Sequence, residues 1–371
     1  MNLHRKHLLH AAALASVLFL CAPAMKADKV RTYTTNTKGS LMLERKDFST
    51  SASCGNNVIT LCPDTTHQTM DGFGYAITYS TCYNLLKMKA RDRHRFLVNT
   101  FSPTKGLGVS YIRTSIGCSD FSSTEYSLCD SPGLENFALH DDETHYVIPI
   151  IKEILDINPN VKVIAAPWTC PKWMKVKNLR TLEKHDSWTS GHLNPNMRST
   201  YAQYFVKFVQ AFAQQGIHIH AVTPQNEPLN QGNCASLFMP WDEQAEFIPH
   251  LAAAFKKAGL TTKIYCFDHN WNYDNMREQK EYPVRIFNAL TNEYEGSELV
   301  VGSAWHDYGG EASELDHINS LLPDKEVIFT EASIGTWNDG RNLQKRLLTD
   351  MNRLVYNTVT RQCRAVMVWN L

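Results

Sequence analysis

Two glutamates stand where apolar runs stop. Glu227 belongs to VTPQNEP, beside Asn226 and before Pro228, after an apolar lead-in from Ile217 to Ala221. Glu331 lies in FTEAS, at the tip of EVIFTE. Proline has no backbone N–H and disfavours helical geometry at the residue before it, so Glu227 is expected at a strand end where the backbone turns out. Either glutamate alone reads as a solvated side chain before a turn. Two carboxyl groups at a fixed separation can do more. One protonates a leaving oxygen while the other attacks or activates water, which is what glycoside hydrolysis requires. Trp168, Trp305 and Trp369 also end apolar runs. Large aromatics bury well in a core, but at strand ends they offer flat apolar faces to sugar rings.

The elements that must hold these residues alternate. Apolar, β-branched runs occur near 71–79, 109–116, 161–168, 217–226, 263–269, 299–306, 326–331 and 365–371. Helical spacing separates them. Tyr201, Tyr204, Phe205, Phe208, Val209 and Phe212 recur at three and four residues, as do Phe247, Ile248, Leu251 and Phe255, with Gly259 as a stop. Helices are also expected over 143–157, 341–362 and 82–100. Eight strands alternating with helices predict a (β/α)8 TIM barrel over residues 67–371. A doubly wound sheet is the alternative, but no GxGxxG or GxxxxGK[ST] occurs at a strand-to-helix turn. Chemistry on a barrel gathers at the C-terminal strand ends. Those ends carry Asp120, Trp168, Asn226, Glu227, His269, Trp271, Trp305, His306, Asp307, Tyr308, Glu331, Trp369 and Asn370. Before the barrel, residues 25–66 contain RTYTT, SLMLE and VITLC, short strands that read as part of a small β-sandwich appendage. The chain stops at Leu371 inside the eighth run, which reads as a fragment of a longer protein.

Composition narrows the partners. Lys+Arg and Asp+Glu are both 37, so the net charge is zero, which argues against nucleic acid or an anionic membrane surface. The first 24 residues run from basic MNLHRKHLLH through apolar AAALASVLFL to CAPA, a secretory signal with Ala22 and Ala24 before the cleavage point. The apolar run is about half of the ~20 residues that a membrane span needs. Cys21 raises a lipid anchor as the lesser reading, since Leu20 is large where a small residue is expected. Nine cysteines follow, with no CxxC, so a zinc site is not expected. Most read as core residues, and Cys54 with Cys62 is the disulfide candidate. His218 and His220 share a strand face without a third ligand at metal spacing. No metal or cofactor is expected.

The stretches DGFGYAIT, GVSYIRTSIGCSDFS, AAPWTCPKWMK, YAQYFVKFVQAF, VTPQNEP, SAWHDY, FTEAS and VWNL occur in order across residues 71–371. Together they resemble glycoside hydrolase family 30, which contains glucosylceramidases and β-1,6-glucanases. The resemblance implies a retaining mechanism with Glu227 as acid/base and Glu331 as nucleophile. It implies Asn226 on the sugar 2-hydroxyl, Arg113 beside Glu331 keeping it ionised, and Tyr308 close to Glu331. Asp120, Trp168 and Trp369 line the sugar subsite, and the strand-six loop adds His306 and Tyr308 to the substrate-binding residues. The nearby second carboxylate is expected to raise the Glu227 pKa. GCSDFSSTEYSLCD and NQGNCASLFMPWDEQAEFI look most like β-1,6-glucanases. A glucosylceramidase-like exo-glucosidase is the alternative, and a non-catalytic carbohydrate-binding barrel a third reading.

Overall fold

The computed structural model of the chain describes residues 30–48, 60–290, 293–333 and 342–371. Eight parallel strands close into a barrel: β1 (Gly72–Ala76), β2 (Tyr111–Ser115), β3 (Lys162–Ala166), β4 (Ile219–Val222), β5 (Lys263–Asn270), β6 (Val300–His306), β7 (Glu326–Glu331) and β8 (Cys363–Val368). Each pairs with its neighbours in sequence, and β8 pairs with β1, so the expected TIM barrel is present. The helices are α1 (Tyr79–Lys87), α2 (Ala90–Phe101), α3 (Ile148–Ile157), α4 (Arg198–Gln214), α5 (Trp241–Lys257), α6 (Tyr282–Ala289), α7 (Glu314–Leu321) and α8 (Leu343–Asp350). The run 82–100 is thus two helices, the first capped by Thr78, whose side chain accepts from the Thr81 N–H. The run 341–362 is also broken, by a π-helical segment over Met351–Tyr356.

Period-two side-chain alternation builds two separate cores. Tyr111, Ile164, Ala221, Tyr265, Ala304, Ile328, Ala365 and Met367 fill the barrel interior. The opposite faces meet the helices, where Tyr201, Tyr204, Phe205, Phe208, Val209 and Phe212 of α4 are buried as their spacing predicted. Each such side chain contributes roughly 1.5–3 kcal/mol. β1 comes too close to β2 for any side chain at Gly74, where a Cβ would lie 1.6 Å from the Tyr111 carbonyl oxygen.

The chain divides into two compact units, Met1–Thr65 with Leu343–Leu347, and Thr66–Asn342 with Leu348–Leu371. In the first, Val30–Thr34 pairs antiparallel with Glu44–Phe48. RTYTT therefore falls largely on a strand. SLMLE does not: its first residues lie in the turn that Asn36 closes, and only Glu44 enters the returning strand. In VITLC, residues 60–62 are not a strand and the first two lie outside the described residues. The signal segment and Cys54 also lie outside them, so the Cys54–Cys62 pairing does too. Cys82, Cys118, Cys129, Cys170, Cys266 and Cys363 are buried, whereas Cys62 and Cys234 are exposed.

Candidate active site

The C-terminal end of the barrel holds a buried ionic network. Arg113 projects inward from β2. It donates to Glu331 Oε2 at 2.5 Å, Asn226 Oδ1 at 2.6 Å and Asp268 Oδ2 at 2.9 Å. Asp268 also accepts from Thr223 at 2.6 Å, Thr330 at 2.6 Å and His306 Nε2 at 3.0 Å. Burial alone would raise the Asp268 pKa, but four donors on this carboxylate, Arg113 and His306 cationic among them, hold it far below the usual range. Burial alone works against the Arg113 charge, but Asp268 and Glu331 raise its pKa further.

Glu331 completes its shell with Tyr308, whose hydroxyl donates to Oε1 at 2.9 Å. Glu227 faces it. His306 Nδ1 lies 3.4 Å from Glu227 Oε1, and the Asn230 and Asn233 amides donate to Oε2 at 2.8 and 3.1 Å. The Glu227 backbone sits in the left-handed region at φ +43°, a conformation that costs about 1–3 kcal/mol outside glycine. Three backbone hydrogen bonds hold it there: Asn226 N–H to Pro167 O, Glu227 N–H to Asp268 O, and Asn230 N–H to Glu227 O. Glu227 thus lies in the loop beyond β4, which ends at Val222. Lys175 steadies that loop from below, donating to Thr169 Oγ1, Trp188 O and Ser236 O. Burial without a carboxylate partner lowers its pKa to about 8.

The charge on Glu227 differs from expectation. Burial pushes its pKa up, but His306, His269 and the Asn230 amide outweigh burial and pull it down to about 2. The expected rise considered only the second carboxylate and missed the histidine cation between the two. Burial alone would lower the His306 pKa, but Glu331, Asp268 and Glu227 raise it to about 9.

The aromatic residues divide. Trp369 is half-buried, with Trp168 behind it at 5.3 Å and Arg113 under both rings. Trp305 is not a platform. It is fully buried, stacked on Trp271 at 5.3 Å and edge-on to Phe267. Asp307 also turns away, to Trp271 Nε1 and Arg353. Asp120 is exposed, yet protein crowding its carboxyl, with the charges of Glu331 and Glu227, pushes its pKa up to about 7.

Single oxygen or nitrogen atoms of Glu227, His306 and Glu331 lie within 4.8 Å of one another, a spacing that could accept a metal ion. Their chemistry argues otherwise. Both His306 nitrogens face carboxylates, so neither has a lone pair to offer, and the Arg113 guanidinium already sits on Glu331. Opposed carboxylates so close together, on the C-terminal face of a barrel, have a geometry in which acid–base and nucleophilic chemistry on one ligand can take place.

The model of the glycosyl hydrolase family 30 TIM-barrel domain matches residues 70–357. The chain belongs to glycosyl hydrolase family 30. A solved family structure, the endo-β1,6-glucanase BT3312, superposes with a TM-score of 0.89 at 55% identity, covering 93% of this chain and 74% of that one. An endo-1,6-β-D-glucanase of Trichoderma harzianum is 31% identical over 73% of this chain and 56% of its own length. The lysosomal acid glucosylceramidase of Mus musculus is 27% identical over 79% of this chain and 59% of its own. The chain thus spans little more than half the length of these two relatives.

Sequence reasoning missed Asp268, Asn230 and Asn233. Asp268 carried no signal in KIYCFDH. The two asparagines lie in NQGNCASLFMPWDEQAEFI, a stretch whose likeness to β-1,6-glucanases singles out no residue.

Proposed function

We propose that this chain is a retaining glycoside hydrolase acting on β-1,6-linked glucan, with Glu331 as nucleophile and Glu227 as acid/base. One observation carries the reading: carboxylate oxygens of Glu227 and Glu331 lie within 4.8 Å of each other. Retaining enzymes hold their carboxyl groups about 5–5.5 Å apart, whereas inverting ones need roughly 6.5–9.5 Å to admit a water. The two shells also differ in kind. Glu331, bound to a permanent cation and a phenol, suits attack on the anomeric carbon. Glu227, bound to a titratable histidine, suits proton transfer. Asn226 gives its oxygen to Arg113, leaving its amide N–H groups for a sugar 2-hydroxyl. Asp120 and Trp369 would meet other faces of the same sugar, with Trp168 backing Trp369.

The substrate class rests on the 55% identical endo-β1,6-glucanase and the Trichoderma relative. Residues 1–24 support secretion, and no helix of the described residues is long and apolar enough to cross a membrane.

Incubation with linear β-1,6-glucan tests the proposal. A ladder of gluco-oligosaccharides, absent with Glu331→Ala, is the expected result, and the first-formed anomer should be β. Glucose alone would point to the exo-glucosidase. Glucan binding with no turnover would leave only a carbohydrate-binding barrel.

A further inference from the structure

An ionised acid is a poor acid. With Oε2 accepting from the Asn230 and Asn233 amides and Oε1 facing His306 Nδ1, Glu227 is surrounded by donors and rests as a carboxylate, yet the proposed reaction asks it to protonate a leaving oxygen. Donor and acceptor accounting shows where the proton is. Asp268 accepts from Arg113, Thr223 and Thr330, so it is ionised, and His306 Nε2, at 3.0 Å, must donate to it. The remaining proton of this pair lies on the line between His306 Nδ1 and Glu227 Oε1. Either Nδ1 carries it and Glu227 is a carboxylate, or Oε1 carries it and His306 is neutral. Oε2 is excluded, because it faces the amide donors of Asn230 and Asn233. The Asn230 orientation is fixed by its own Oδ1, which accepts from the Gly232 N–H at 3.0 Å.

We propose that the acid of this enzyme is a glutamate–histidine pair in which His306 stores the proton and Glu227 Oε1 delivers it, while Asn230 and Asn233 keep Oε2 out of the transfer. This rests on the reading of Glu227 as acid/base. When the glycosidic oxygen arrives at Oε1, the proton passes from Nδ1 to Oε1 and on to that oxygen. The C1–O bond breaks and a Glu331 oxygen bonds C1. Before the step the network holds Glu227, Asp268 and Glu331 as anions and Arg113 and His306 as cations. Afterwards Glu331 is a neutral ester and His306 a neutral imidazole, so the buried charge of the protein is unchanged. Glu331 Oε2, 4.0 Å from His306 Nε2, helps to hold the proton on His306. Consuming the Glu331 charge weakens that hold. In the second half, a water oxygen bonds C1 as the ester bond from C1 to Glu331 breaks; Glu227 takes the water's proton and returns it to Nδ1, and the resting state is regained with Glu331 freed as a carboxylate. The other titratable groups facing this pair are His269, whose ring centroid lies 6.3 Å from that of His306, Tyr308 at 6.3 Å, and Asp274 and Asp120 further out. His306 is fully buried and acts through Glu227 as a positioning residue rather than as the sugar-binding residue expected from the sequence.

The test uses two leaving groups, the sugar alcohol of linear β-1,6-glucan and the activated phenol of 2,4-dinitrophenyl β-glucoside. In His306→Gln, kcat/KM on glucan should fall about 10²-fold, the low end of what acid catalysis supplies. Its alkaline limb should move to lower pH, since Glu227 alone must now keep the proton. On the dinitrophenyl glucoside, kcat/KM, which reports only the first half, should stay within a few-fold of the parent value. Glu227→Gln is the control and should show the same selectivity, more strongly. Equal losses on both substrates in His306→Gln, with Glu227→Gln still selective, overturn the pair and leave Glu227 as a lone acid. Loss of selectivity in Glu227→Gln overturns both readings. Should His306→Gln fail to fold, histidine-15N NMR of the intact protein decides. One imidazole should stay doubly protonated through pH 8, and its deprotonation should move to lower pH once 2-deoxy-2-fluoro-β-glucosyl fluoride has esterified Glu331. A midpoint that does not move overturns the proposal.

Discussion

The two ends of the barrel hold charge in opposite ways. At the N-terminal end, Asp71 and Glu326 meet three permanent cations. Lys162 lies 2.6 Å and Arg364 3.4 Å from Asp71, and Lys263 lies 2.9 Å from Glu326, which also binds Arg364 and the Tyr265 hydroxyl. At the C-terminal end, Glu227, Asp268 and Glu331 share one permanent cation, Arg113, which is fully buried. The apolar interior around Tyr111, Ile164, Ile328 and Met367 separates the two. Where fixed cations match or exceed carboxylates, no proton is needed to balance charge, and the cluster is scaffold. Where they fall short, the site recruits a proton on a titratable group, and that proton can be handed on.

The sharpest break between the ends is a matched pair of substitutions. Glu331→Gln should cut glucan hydrolysis by on the order of 10⁴-fold or more, with a Tm that does not fall, because it relieves crowding among three buried carboxylates. Glu326→Gln should leave hydrolysis nearly intact and cost about 1–3 kcal/mol, since Lys263 and Arg364 lose their carboxylate but remain partly hydrated. Denaturation midpoints and initial rates on the same preparations check both. If Glu326→Gln lost activity without losing stability, the scaffold reading of the lower cluster would fail.

How the upper network was built could be read only in part from sequence. Strand ends gave Glu227, Glu331, His306 and Tyr308 because alternation and punctuation are local signals, the family resemblance added Arg113, and all five converge. Asp268 escaped because alternation gives the wrong face. Counting in twos from Tyr265 turns Phe267 inward. In the folded chain Phe267 and Asp268 are both left-handed, at φ +72° and +75°, and pairing with β6 skips Asp268. This bulge sends Phe267 out to Tyr282 and Trp305 and brings Asp268 in. No glycine or proline marks it. The Glu227 charge was illegible for a related reason. It depends on His306, 79 residues away, and on a loop whose amides face Oε2 only once the barrel has closed.

The comparison also predicts where each end loses stability with pH. His306, raised from its ordinary 6.5 to about 9, stabilises the fold fully below 6.5, and that contribution is lost as pH rises towards about 9. Thermal unfolding of the parent should therefore weaken by several degrees across this window, and His306→Gln should flatten the decline.

The smallest effect lies at the other end. His220 sits over the Tyr111 ring at 6.0 Å, and burial, with Lys162 and Lys263 nearby, lowers its pKa to about 4. The unfolded chain takes up this proton near pH 6.5 while the folded one resists it to about 4, so stability should fall as pH drops through that interval. Glu227, lowered to about 2, adds its own loss only below its ordinary 4.5. The two acid limbs are therefore separable. His220→Gln should remove the loss between about 6.5 and 4, worth about 1 kcal/mol after allowance for partial hydration, and leave the steeper loss below 4.5 in place. An unchanged profile between pH 6.5 and 4.5 would place the early acid limb on another group and break the symmetry drawn between the two histidines.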